Sequence, residues 1–141
     1  MILITAPHSL CLPSIPTRHC DRVAAEAAKK LHTLLHQNSI LILATHLRSD
    51  VDLNRSESAD TDFAQLVDKT KDIALCIDVH SFPTHQLDDN DIYVLVNHRD
   101  PGLDAVLSLL HKHLKFNEYQ GGKENYILEK MHARSVPAFI I

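Results

Sequence analysis

The stretch "DIALCIDVHSF", residues 72–82, decides how this chain is read. Ile73, Ala74, Leu75, Cys76, Ile77 and Val79 make a continuous short apolar run, the pattern of a strand covered on both faces. The run then delivers Asp78 and His80, which period-two alternation puts on one face at the strand's carboxyl end. Polar groups of that kind, at the end of a buried strand, are where open α/β sheets bind their ligands.

Similar runs lie on either side. "ILIT" (2–5), "SILILAT" (39–45), "DIYVLVN" (91–97) and the terminal "HARSVPAFII" (132–141) read as strands, the last through Val136, Ala138, Phe139, Ile140 and Ile141. Helical patterns alternate with them. "DRVAAEAAKKLHTLLHQN" (21–38) carries Val23, Ala24, Ala27, Leu31, Leu34 and Leu35 at helical spacing, with Asp21 at the N-cap position and Asn38 at the stop. Further helices are expected over about 61–71, over 101–114 behind Pro101, and over about 124–132 behind Gly121 and Gly122. Residues 8–20 and 48–62 read as loop. The expectation is one α/β domain over residues 1–141: a mainly parallel, mixed sheet of about five strands with helices on both faces.

Composition narrows the function classes. The 141 residues suit one domain with its own core. A formal net charge of −4 argues against nucleic-acid binding, which calls for a basic face. No apolar run approaches the roughly 20 residues that span a bilayer, so no membrane partner is expected. The start "MILITAPHS" lacks the basic and long apolar regions of a signal peptide. Three scattered cysteines, Cys11, Cys20 and Cys76, argue against a disulfide framework, and a reducing, cytoplasmic location is the default expectation. Eleven histidines stand out, although histidine richness alone says little about metal.

Three strand ends carry polar residues unlike loop filler: "APHS" with His8, "THLRSDVDLNR", and "DVHSF" with Asp78 and His80. Two histidines and a carboxylate are the parts of a catalytic zinc site with an open position. Asp21 and Cys11 are the candidates for the third ligand; Asp21 reads equally as a helix N-cap, and Cys11 as a small buried apolar residue. Asp78 reads as the partner that fixes a histidine's tautomer, or with His80 as a strand-end pair bonded to a loop. His32 and His36 have chelating spacing, but no glutamate follows His32, and they read with His111 and His113 as surface residues. There is no phosphate loop and no nucleophile elbow; Ser9 and Ser81 merely neighbour histidines.

In that order, "PHS" (7–9), "RSDVDLNR" (48–55) and "DVHSF" (78–82) resemble the N-formylglutamate amidohydrolase family. That family belongs to the wider zinc-carboxypeptidase-like group, with the acylglutamate and acylaspartate deacylases. The resemblance runs from His8 through "GGKENYI" to the terminal strand and implies a phosphorylase/hydrolase-like fold. It implies His8 and His80 as zinc ligands, with an acidic third ligand matching Asp21; where carboxypeptidase-like relatives place a glutamate, Cys11 stands. It implies Asn54 and Arg55 as holders of a substrate carboxylate, which suits a guanidinium fork, with Arg48 adding charge. The alternative for Arg55 is an ion pair with Asp52 or Asp50.

The resemblance further implies zinc-dependent hydrolysis of the amide of a small N-acyl amino acid such as N-formylglutamate, a small-molecule carboxylate. Relatives carry a proton-shuttling glutamate just after the last strand, whereas this sequence ends at Ile141. Glu124 and Glu129 lie nearby but on the helix ahead of that strand, which makes them poor replacements. The alternative expectation is therefore a catalytically impaired metal-binding module of the same fold, used for ligand or partner binding.

Overall fold

A computed structural model of the chain describes residues 1–14, 20–81, 92–120 and 125–141. In chain order the strands are β1 (Ile2–Ala6), β2 (Ser39–Leu43), β3 (Leu75–Asp78), β4 (Tyr93–Val96), β5 (Asn117–Gln120) and β6 (Ala138–Ile140). The helices are α1 (Arg22–Leu35), α2 (Asp62–Lys69), α3 (Pro101–His111) and α4 (Tyr126–Ala133). One sheet takes them in the order β2-β1-β3-β6-β4-β5. β1 pairs in parallel with β2 and β3, and β3 with β6. β4 runs antiparallel to β6, and β5 runs parallel to β4.

The sheet thus has six strands, not five. The additional one is β5, "NEYQ", of which Glu118, Tyr119 and Gln120 are exposed. It lies at the sheet's edge and buries no apolar face, so hydrophobic periodicity cannot reveal it.

Period-two alternation sorts the strand residues onto two faces, and each face has its own core. Leu3, Ile42, Cys76, Ala138 and Ile140 meet Phe63, Ala64 and Val67 of α2 and Ile127, Leu128 and Met131 of α4. Ile4, Ile77, Val94, Val96 and Phe139, on the other face, meet Ala24 and Ala28 of α1 and Leu103 and Leu107 of α3. The stripe of α1 is rotated from its expected position. Ala24 and Ala28 are buried and Leu31 and Leu35 half-buried, whereas Val23 is 68% and Leu34 75% exposed. With alanines at the contact, the helix can lie close to the sheet.

Because β1, β2, β3 and β6 run the same way, their carboxyl ends share one edge. His8 follows β1, the 44–55 loop follows β2, and His80 follows β3. β6 reaches the same edge: the Ile141 amide donates to the Asp78 carbonyl at 2.9 Å, and the His80 amide to the Ile141 carbonyl at 2.8 Å. Among the described residues no helix is long and apolar enough to cross a membrane.

Candidate metal centre

Each side chain of the site is set by the element that carries it. His8 sits in the turn after β1, where the Ser9 hydroxyl donates to the Ala6 carbonyl at 2.7 Å and accepts from the Ala44 amide at 3.0 Å. Asp21 immediately precedes α1, and its amide donates to the His8 carbonyl at 2.8 Å. Its carboxylate makes no capping hydrogen bond, so of the two readings open for Asp21 the cap is excluded. The carboxylate turns inward instead: Oδ2 accepts from the Ser81 amide at 3.3 Å and lies 3.1 Å from His80 Nδ1 and 3.6 Å from His8 Nδ1.

The far nitrogen of each histidine is held by another carboxylate. His8 Nε2 meets Asp52 Oδ1 at 2.7 Å, and His80 Nε2 meets Asp78 Oδ2 at 3.1 Å. Asp78 is fully buried and further held by the Thr5 hydroxyl at 2.6 Å and the Asn125 amide group at 3.4 Å. The two imidazoles meet edge to face, 5.0 Å apart at 84°. Carboxylates behind both rings fix their orientation and turn the two Nδ1 atoms toward Asp21, the arrangement that second-layer partners impose on metal-binding histidines.

His8, Asp21 and His80 each offer one ligand atom, all within 4.8 Å of one another. At zinc–ligand distances of about 2.0–2.2 Å, tetrahedral ligand atoms lie roughly 3.3 Å apart, and the 3.1 and 3.6 Å separations bracket that spacing. His8 Nδ1 is moreover a buried nitrogen without a hydrogen-bond partner, which marks a lone pair waiting for one. The residues present fit a small divalent cation.

The charges are mutually arranged. Burial opposes ionisation of Asp21, but the close approach of His8 and His80 prevails and holds its carboxyl far below the ordinary range. Asp52 behaves alike: burial raises its pKa, while the His8 hydrogen bond, the Asn54 amide and Arg48 bring it down to about 2. Burial works against the charged form of His80, yet Asp78 and Asp21 on either side push it up to about 9.

The neighbouring polar residues fall into place around this set. Asn54 Nδ2 is 3.4 Å from His80 Nε2, and Asn54 Oδ1 is buried without a hydrogen-bond partner. Arg48 and Arg55 both approach Asp52 Oδ2, at 3.7 and 3.9 Å, with side chains 36% and 40% exposed. The ion pair with Asp52 that stood as the alternative for Arg55 is therefore present, though long.

Cys11 needs correction on two counts. It forms a disulfide with Cys20, so it offers no thiolate as third ligand, and the argument from unpaired cysteines to a reducing compartment falls with it. Only the third cysteine, Cys76, is a buried free thiol. The odd count concealed a pair whose Cα atoms, nine residues apart in sequence, come within 5.5 Å.

Glu129 lies elsewhere, bonded to His98 Nε2 at 2.8 Å and the Asn97 amide group at 3.2 Å; both follow β4, whose carboxyl end points away from the site. Glu124 lies outside the described residues. Of the histidines read as surface groups, His32 is half-buried and bonded to the Ser39 hydroxyl at 2.8 Å, while His36, His111 and His113 are exposed. Asp52, Thr5 and Asn125 are site residues that sequence reasoning missed. Asp52 alone carried a signal, standing two residues before Asn54 in a loop already singled out.

No family model matches the chain, and searches of curated proteins and of solved structures find no match either, so the chemistry of the site rests on its own geometry.

Proposed function

We propose that the chain is a zinc-dependent amidohydrolase that cleaves the amide of a small N-acyl amino acid of the N-formylglutamate type. The observation that carries this reading is the convergence of His8 Nδ1 and His80 Nδ1 on the Asp21 carboxylate, with Asp52 and Asp78 behind the rings. His8, Asp21 and His80 would hold the ion and leave a fourth position open. Zinc held there supplies Lewis acidity, which polarises an amide carbonyl and makes water nucleophilic near neutral pH.

The chain's own residues bind and orient. Arg48 and Arg55, half-exposed beside Asp52, present guanidinium groups to a substrate carboxylate arriving from solvent. Asn54 Oδ1, buried without a hydrogen-bond partner, would accept a hydrogen bond from the substrate amide.

A second reading, a metal-binding module of impaired activity, is favoured by one feature. Proton transfer to a leaving amine calls for a group with a pKa near the working pH. Among the described residues, the carboxylates that reach the two histidines are Asp21, Asp52 and Asp78. All three are engaged in hydrogen bonds, and Asp21 and Asp52 are held too acidic for that task.

Protein purified without a histidine tag should take up one equivalent of zinc, measured by elemental analysis after dialysis, and His80→Ala should not. Hydrolysis of N-formyl and N-acetyl amino acids by the wild type and not by His80→Ala establishes the enzyme. Stoichiometric zinc without hydrolysis selects the second reading. Less than about a tenth of an equivalent of zinc in the wild type overturns both.

A further inference from the structure

We infer that the Cys11–Cys20 disulfide is a redox-controlled clamp on the metal centre: oxidised, it holds His8 and Asp21 in ligand geometry, and its reduction by a dithiol loosens the site's grip on the ion. The inference rests on the metal-binding part of the proposed function and not on hydrolysis.

The bond stands where it bears on two ligands together. Cys11 is three residues beyond His8, and Cys20 immediately precedes Asp21. The segment from His8 to Asp21 connects β1 to α1, and the disulfide closes it with Cα atoms 5.5 Å apart. Beyond the disulfide, the Asp21 amide bonds the His8 carbonyl, and its carboxylate takes the Ser81 amide at 3.3 Å and faces His80 Nδ1 at 3.1 Å, the last a contact between two of the ligands themselves. The start of α1 carries no side-chain cap that would fix Asp21 independently. The ring of His8, by contrast, is anchored from a different loop by Asp52. Opening the disulfide therefore frees Asp21 relative to His8 more than it frees His8 itself. Without the cross-link, binding the ion must itself supply the order between His8 and Asp21.

The chemistry balances with a dithiol as reductant. Its thiolate attacks Cys11 Sγ, the more exposed of the pair, and the Sγ–Sγ bond breaks with Cys20 leaving as thiolate. The reductant's second thiol then displaces Cys11 from the mixed disulfide. Two electrons and two protons pass to the protein, and the dithiol becomes a disulfide. Cys76, fully buried on β3, takes no part in the exchange.

The test compares zinc affinity, by competition with a chromophoric chelator, in the oxidised full chain and in Cys11→Ser/Cys20→Ser, with circular dichroism monitoring the fold. The double variant removes the thiols, which would otherwise bind zinc themselves. We expect its affinity to be lower by tenfold or more. Linkage gives the corresponding effect on the wild type: with its freed thiols kept from zinc, saturating zinc should make the disulfide harder to reduce by tenfold, about 30 mV for this two-electron couple. Equal affinities within twofold overturn the clamp while leaving the metal site intact. An oxidised wild type that binds no zinc overturns the metal site and the clamp together. If the double variant does not fold, the reduced wild type with Cys11 and Cys20 alkylated, whose blocked thiols take no zinc, replaces it in the same comparison. Peptide mapping that finds no Cys11–Cys20 cross-link in protein purified under non-reducing conditions also overturns it.

Discussion

Asp52 shows how much of this site rests on one side chain. Its Oδ1 takes His8 Nε2 at 2.7 Å, the Asn54 amide donates to the same oxygen at 3.0 Å, and Arg48 and Arg55 face Oδ2. The arginine pairs are long and half-exposed and contribute little to stability. The histidine contact is the one with consequences, because it decides which nitrogen of His8 faces Asp21. Asp52→Asn keeps the shape but removes the charge that holds the proton on Nε2, and zinc affinity should fall about 10–100-fold. Asp50→Asn, at an exposed position in the same loop, should leave affinity unchanged. Equal affinity in wild type and Asp52→Asn, measured by chelator competition, would remove Asp52 from the site.

For the elements, packing decided what pattern alone could not. Six of the apolar residues of α1 fit a stripe, but the helix has more apolar surface than the sheet covers. Rotation about its axis then follows the closest fit, which puts Ala24 and Ala28 against the β1 side of the sheet and leaves Leu34 in solvent. Ala28→Leu should therefore overpack the face and destabilise by about 1–3 kcal/mol, whereas Leu34→Ser should stay within about 0.5 kcal/mol. Urea unfolding of both variants checks this, and the reverse order would restore the stripe expected from the sequence. β5 makes the complementary case. A polar edge strand is specified by its partner β4, through the register Tyr93 to Asn117 onward, and by no feature of its own composition.

At the level of the whole molecule, the site concentrates opposed charges between β1, β3 and the loops after them, and the stability of the metal-free protein should follow their titration. His80 is raised from its ordinary 6.5 to about 9, so its contribution is complete below pH 6.5 and disappears as pH rises through 9. Asp52 is lowered from 3.8 to about 2, so its contribution is complete above pH 3.8 and disappears as pH falls through 2. Metal-free protein should be most stable between these windows, losing up to about 3 kcal/mol from pH 6.5 to 9. Zinc held as proposed should reverse the trend, because it would compete with the proton on His80 and stabilise more as pH rises. Chemical unfolding at pH 6 and 9, with chelator or with zinc, measures both effects. A profile that stays the same in His80→Gln would assign the pH dependence to other groups.

The alternation of apolar runs with helical patterns was legible without coordinates, because burial on two faces demands continuous apolar strands such as 72–80. His8 and His80 were legible for the same reason: a polar residue at the end of a buried strand stands out against its neighbours. Asp21 could not be separated from an N-cap, since both roles favour the same residue type at the same place, and only the inward turn of its carboxylate distinguishes them. Asp52, Thr5 and Asn125 became visible only through contacts that span 44, 73 and 47 residues of sequence. The Cys11–Cys20 pair likewise depends on how the chain turns between β1 and α1. Sequence by itself determined the elements other than the polar edge strand β5, and the strand ends that carry polar side chains, because periodicity and burial are local. Tertiary structure decided which side chains cluster there and put Asp52 behind His8, because each is a distance between residues remote in the chain, and it paired two cysteines nine residues apart that no local pattern marks.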